Sequence, residues 1–405
     1  MSGDSSEFSV PRWVATPDRR RFLGLVGCAA ASFARPAAAI ATAIPRAEPE
    51  EVGFDAQLLA RIDTLVHEGL AAKKMPGCVV AVGRGGRIAW LKAYGDRQRE
   101  PTALPMTIDT LFDLASLTKP IATASSIMLL VERGQLQLSD EVAQVIPEFA
   151  AEGKRAVTIQ HLLLHSSGLL PDNPIADYQD GRESALRRIC ALKLQAPIDA
   201  QFIYSDVNFV VLGEIVQRVS GQRLDEFCQR HLFQPLQMTE TGFVPGEALR
   251  RRAAPTEKRD GRWMQGEVHD PRAYLLGGVA GHAGLFSTAD DLAIFAQMLL
   301  DRGRRGDQQI LSAESIDTMT RSYQLPGNRR GLGWDKQSKF SSNRGDLLSE
   351  SAFGHGGFTG TVLWVDPKLD LYYLLLSNRL HPDGKGQVNP LAGRIGSVVA
   401  SAVRN

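Results

Sequence analysis

The 405-residue chain is poor in cysteine, in aromatic residues and in surplus charge. Its four cysteines show no paired spacing, so neither a disulfide framework nor a zinc ribbon is written into it. Cys78, Cys190 and Cys228 read as small apolar core residues. The 46 basic and 45 acidic side chains nearly cancel. No basic stripe interleaved with aromatics runs along the chain, so no nucleic-acid partner is expected. Arg250, Arg251 and Arg252 read as a solvated loop. No Walker A loop and no full dinucleotide fingerprint is present, and no cofactor is expected. The missing Gly-x-Ser-x-Gly elbow argues against an esterase of the α/β-hydrolase type. After residue 43 no apolar run is long enough to cross a bilayer. There is no internal repeat. What remains is an ordinary globular composition, 43% apolar, on a chain long enough for about two or three compact units.

The N-terminal stretch DRRRFLGLVGCAAASFARPAAAIATA (18–43) reads as a leader. Arg19 and Arg20, followed by Phe22 and Leu23, match the twin-arginine export pattern. The apolar stretch before Arg35 is too short to span a membrane. Small residues offer cleavage after Ala39 or Ala43. Residues 1–43 are therefore read as a twin-arginine-type signal peptide, and the protein as exported and periplasmic. The alternative is a lipid anchor on Cys28, within Leu25-Val26-Gly27-Cys28, which makes a membrane-anchored lipoprotein.

Beyond the leader, apolar spacing predicts a helix from Asp55 to Lys74, capped by Asp55. CVVAVGRGGRIAWLKAYG predicts two strands around the Gly83–Gly86 turn. TVLWVDPKLDLYYLLLSN predicts two more around Asp366-Pro367, and a last helix runs from about Asn389 to Val403. Asp290 and Asp291 after Ser287 and Thr288 mark a capped helix start. Strand-rich ends enclosing a helical middle suggest an α/β unit from 44–111 and 276–405, with a mainly helical domain, 112–275, inserted.

Three short stretches carry chemistry. FDLASLTKPIATASSIMLLVERG places Ser116 and Lys119 three apart at the head of a segment apolar nearly all round. A serine at a helix start is an ordinary cap. A lysine at the rim of a buried helix, however, loses water and needs a partner. Pro120 fits a first turn but biases Lys119 away from helical angles. FIYSDVNFVVLGEIVQRVSG puts Tyr204 and Asp206 at the entrance of a helix that stops at Gly221. FGHGGFTGTVLWV leads His355, Gly356 and Gly357 into a strand, and glycines let a ligand approach the backbone. A serine nucleophile needs a base within reach and donors for the oxyanion, and these stretches can supply both. His161 and His165 stand four apart, as in some zinc sites, but no metalloprotease glutamate lies between them. A packed pair is expected there, and no metal. His282, in AGHAG, could line a cleft but reads first as structural.

In this order SLTK, YSD and HGG resemble the three motifs of the serine β-lactamase and penicillin-binding-protein superfamily, in its class C-like branch. VTIQHLLLHSSGL, GVAGHAGLFSTADDLAIFAQMLL, GLGW and VDPKLDLYYLLLSNRLHP resemble the same branch, most of all its periplasmic D-alanyl-D-alanine carboxypeptidases. The resemblance implies an α/β (α+β) fold, an antiparallel sheet flanked by helices with an inserted helical domain. It implies that Ser116 forms an acyl-enzyme and that Lys119 and Tyr204 share the proton work. It places the oxyanion between the N–H groups of Ser116 and Phe358, with Asp206, His355, Gly356 and Gly357 in support. The implied substrate is a D-alanyl peptide, β-lactam or ester, or a peptidoglycan-derived fragment. A carboxylesterase and a non-catalytic cell-wall-fragment sensor are the alternatives.

Two positions depart from the family pattern. Asp206 stands where asparagine is commonest; it can only accept hydrogen bonds. Pairing with Lys119 would hold that amine charged, which favours Tyr204 as proton acceptor while leaving both open. His355 replaces a lysine that helps hold the substrate carboxylate, and histidine is mostly neutral near pH 7. That weakens the expectation of carboxylate capture and favours ester or neutral acyl substrates.

Overall fold

The computed structural model describes residues 43–404. The twin-arginine pair and Cys28 lie outside the described residues.

A nine-stranded sheet is assembled from both ends of the chain. Edge to edge it runs Tyr323–Leu325, Asn328–Arg330, Asp335–Gln337, Phe353–Gly357, Thr361–Asp366, Leu371–Ser377, Gly77–Arg84, Arg87–Gln98, Leu104–Pro105. Every neighbouring pair is antiparallel. The two ends meet where Cys78 faces Ser377 and Arg84 faces Leu371. The first hairpin closes through Gly85 and Gly86, at φ +58° and +74°, the two left-handed positions that a two-residue turn demands.

Strand side chains alternate between two cores. Val79, Ala81, Leu363, Val365 and Leu374 face one way; Val80, Val82, Val362, Trp364 and Leu375 face the other. The second set packs on helices Arg61–Ala71 and Asn389–Ser401. The helix expected from Asp55 is divided: Asp55 caps Ala56–Leu59, Ala60 forms a turn with right-handed angles, and Arg61 begins a second helix. Thr288 caps helix Ala289–Leu300 on the opposite face, its side chain accepting from the Asp291 N–H.

That opposite face continues without a break into the helical segment. Leu162, Phe209, Leu212 and Ile215 belong to the same apolar core as Val79 and Leu363. Burying one such side chain fully contributes about 1.5–3 kcal/mol, so sheet and helices stabilise one another. Two short strands, Phe112–Asp113 and Gly242–Phe243, flank Leu285–Ser287 and tie the helical segment to the C-terminal part of the chain. Cys78, Cys190 and Cys228 are free and buried.

Candidate active site

Ser116 lies on a single 3₁₀ turn, Ala115–Leu117. A π turn, Lys119–Ala124, follows, and an α-helix, Ser125–Glu132, completes the segment. Lys119, three residues on, opens that π turn and its amine faces Ser116. The wide π turn accommodates Pro120, which has no N–H to give a tighter ladder. Ala115 precedes the serine at φ +45°, a conformation that non-glycine residues rarely adopt.

Lys119 is fully buried. Its Nζ donates to Ser116 Oγ at 3.0 Å and to the carbonyl of His282 at 3.1 Å, and it lies 2.6 Å from Asp206 Oδ1. Burial opposes its charge, but the Asp206 carboxylate and the Tyr204 hydroxyl outweigh burial and hold its pKa above the ordinary lysine value. The balance favours the charged form of the amine.

Tyr204 and Asp206 enter together at the head of helix Asp206–Ser220. Ser205 is its cap, accepting from the Asn208 N–H. The acidic Asp206 in the first turn also suits the helix dipole. This entrance is anchored by His165, whose Nδ1 accepts from the Ser205 N–H at 3.0 Å. The His165 ring packs on Tyr204 with centroids 4.6 Å apart. On its other sides the Tyr204 ring meets Phe340 at 5.1 Å and His355 at 5.9 Å, and Lys119 Nζ lies 5.0 Å from its centre.

His355 donates from Nδ1 to the Gly356 carbonyl at 2.8 Å, which leaves Nε2 an acceptor. Burial, aided by the positive charges of Arg330 and Lys119, holds its pKa well below the ordinary histidine value. Gly357 must be glycine: a Cβ there would fall 2.3 Å from the Leu114 carbonyl oxygen. The strand therefore runs against the backbone just ahead of Ser116. Phe358, 59% exposed, follows at the rim, its ring between His269 and Arg379. A cleft of about 590 Å³ is lined by Ser116, Tyr204, His355, Gly356, Gly357 and Phe358, and by Arg330, Asp335, Lys339, Phe340, Arg379 and Lys385 among others.

A family model described as "Beta-lactamase" matches residues 62–396. The chain belongs to the beta-lactamase family. It is a serine hydrolase. It is 32% identical over 387 residues to an Escherichia coli (strain K12) protein named "Putative D-alanyl-D-alanine carboxypeptidase", covering 86% of this chain and 88% of that one. It is also 32% identical over 374 residues to the "N-acetylmuramyl-L-alanine amidase" of Bacillus subtilis (strain 168), covering 82% and 83%. Among solved structures, "A class C beta-lactamase" superposes with a TM-score of 0.71 at 18% identity, over 86% of this chain and 97% of the other. The antiparallel sheet with flanking helices is the fold of this family.

Against this family background two features read differently from the sequence expectation. His161 and His165 do not share a helical face, because the helix ends at Leu164 and His165 takes a left-handed φ of +60°. His161 instead closes its own cap with Thr158 and meets Asp199. The carboxylates of Asp206 and Asp270 and the His282 ring converge within 4.8 Å. At that point the Lys119 ammonium already supplies the cation, and Asp270 caps helix Pro271–Leu275. His282 has a part in the site that sequence did not disclose: its backbone carbonyl grips Lys119 while its ring is clamped by Asp270 at 2.9 Å. His165, Arg330 and Asp113 were missed as well. The GLGW block next to Arg330 and the FD ahead of the nucleophile were the available signals.

Proposed function

We propose that the protein cleaves the terminal amide of D-alanyl-D-alanine-type wall peptides through an acyl-enzyme on Ser116, and that it works outside the cytoplasm after export by its twin-arginine-type leader. The observation that carries this reading is the buried Lys119 ammonium 3.0 Å from Ser116 Oγ, held by Asp206 and the His282 carbonyl. Ser116 Oγ attacks the scissile carbonyl carbon, forming a C–O bond. The carbonyl oxygen becomes an oxyanion between the N–H groups of Ser116 and Phe358. The serine proton passes to the Tyr204 oxygen while the phenol's own proton passes to the departing nitrogen as the C–N bond breaks. Lys119 remains charged and offsets the negative charge developing on the serine. Water then attacks the ester by the reverse proton path and frees the acid and the serine.

The cleft wall favours an anionic substrate. It carries Arg330, Lys339, Arg379 and Lys385 against Asp335, and Asp335 is already 3.0 Å from Arg330 Nη1. Among the described residues Arg330 Nε and Nη2 have no hydrogen-bond partner. Replacing Arg330 by glutamine should raise KM for carboxylate-terminated peptides about tenfold, the worth of one charge-assisted hydrogen bond. KM for an uncharged aryl ester should stay unchanged, as steady-state kinetics on both substrates will read.

A second reading rests on His355. Neutral and acceptor-only at Nε2, it suits an ester, or an amide whose departing half carries a donor. Intact-mass labelling separates these readings. Purified protein is treated with a penicillin and, separately, with a short-chain aryl ester, with Ser116→Ala as the blank. A lasting penicillin adduct supports the peptidase reading. Fast ester turnover without a drug adduct supports the esterase. No reaction with either probe would return the protein to a binding or sensor role and overturn both.

A further inference from the structure

The nucleophile turn is held by a carboxylate to which the mechanism gives no part. Asp113 is 3% exposed. Its Oδ1 accepts from the N–H of Ala115 at 2.8 Å, and its Oδ2 accepts from the N–H of His269 at 2.7 Å. Among the described residues no lysine or arginine pairs with it within 4.0 Å. A buried carboxylate held only by two backbone N–H groups is costly, and here both bonds lead to the reaction centre. Ala115 is the left-handed residue directly before Ser116. Such a conformation persists where its surroundings hold it, and Asp113 Oδ1 is the group that grips its N–H. His269 stacks on the Phe358 ring, with centroids 5.6 Å apart.

The same short stretch is tied to the oxyanion strand from the other side. Thr359 donates its hydroxyl to the Asp113 carbonyl at 2.6 Å, and Thr361 donates to the Leu114 carbonyl at 3.1 Å. One residue thus reaches Ser116 through its side chain and Phe358 through its backbone and His269.

We propose that Asp113 is the positioning residue of the oxyanion hole, holding the Ser116 and Phe358 N–H groups at a fixed separation. This rests on the acyl-enzyme reading above, and the test keeps the two apart. Asparagine at 113 keeps the shape but turns an NH₂ toward one of the two backbone N–H groups. Preorganised donors act on the transition state rather than on bound substrate. In Asp113→Asn, kcat for an aryl ester should therefore fall about a hundredfold. KM should move by less than about threefold, while affinity for phenylboronic acid, which forms a tetrahedral adduct on Ser116, falls in step with kcat. Thr359→Val removes the second tie without touching the carboxylate and should lower kcat about tenfold with KM kept.

Retained kcat in Asp113→Asn, or a fall in kcat with boronate affinity unchanged, overturns the proposal. If Asp113→Asn does not fold, Thr359→Val decides, and an unchanged kcat there overturns it. Failure of the wild-type protein to acylate at Ser116 would instead remove the acyl-enzyme reading itself, and this role with it.

Discussion

Lys119→Met is expected to lower kcat/KM for any ester or amide substrate by about four orders of magnitude, the upper range for a group handling charge and protons at the reacting atom. Methionine matches the length of the lysine stem and leaves the apolar core around Ile121 and Ile127 intact. What disappears is the cation 3.0 Å from Ser116 Oγ. The serine loses the donor that orients it, and the charge developing on it loses its counterion. Asp206 is left without an ammonium: its Oδ1 is buried, but the side chain as a whole is 22% exposed, so the carboxyl can take up a proton or turn toward water. The fold should therefore survive, as a melting curve close to wild type would show. Single-turnover acylation with an aryl ester measures the chemical step. A loss below tenfold would mean that Lys119 is merely structural.

The second large effect concerns Asp206→Asn and has a sign that separates two roles for the lysine. In the native site burial works against the Lys119 charge, and Asp206 is the first of the groups that reverse it. An amide has no charge to offer, so burial then acts with less opposition and the lysine pKa falls from its raised native position. Below the new pKa the amine is still protonated and the variant should resemble wild type. Above it the cation is gone. If the ammonium supports attack, kcat/KM of the variant should fall with rising pH where wild type is flat. If a neutral amine were the general base, the variant should speed up over the same interval. Parallel pH–rate profiles of the two proteins decide the matter.

The candidate site was legible in the sequence to the extent that its side chains fall in motifs with ordered spacing. Ser116, Lys119, Tyr204 and the 355–358 stretch can be read from three short motifs because each motif opens or closes an element. The pairing of Asp206 with Lys119 also follows, since a buried amine needs an anion. The remainder was hidden for a physical reason. The third partner of Lys119 is a backbone carbonyl, that of His282, and any residue type could have provided it. Asp113 acts through two backbone N–H groups far apart in sequence, Ala115 and His269, so the FD dipeptide ahead of the nucleophile does not by itself disclose its role. His165 looked like half of a helical pair because nothing in LLLHSSG shows that the helix stops one residue earlier. At the level of the fold, the strand patterns with the Gly83–Gly86 and Asp366-Pro367 turns revealed the two hairpins, whereas the shared core linking Leu162 and Phe209 to the sheet is a long-range fact.

The contact between Gly357 and the Leu114 carbonyl acts as a mechanical stop. Main chain against main chain limits how closely the two walls of the reaction centre can approach, and no side-chain exchange along the rim can alter that limit. Arg330, Phe340 or His355 can thus change what enters while the hardware that makes and breaks the acyl bond keeps its calibration.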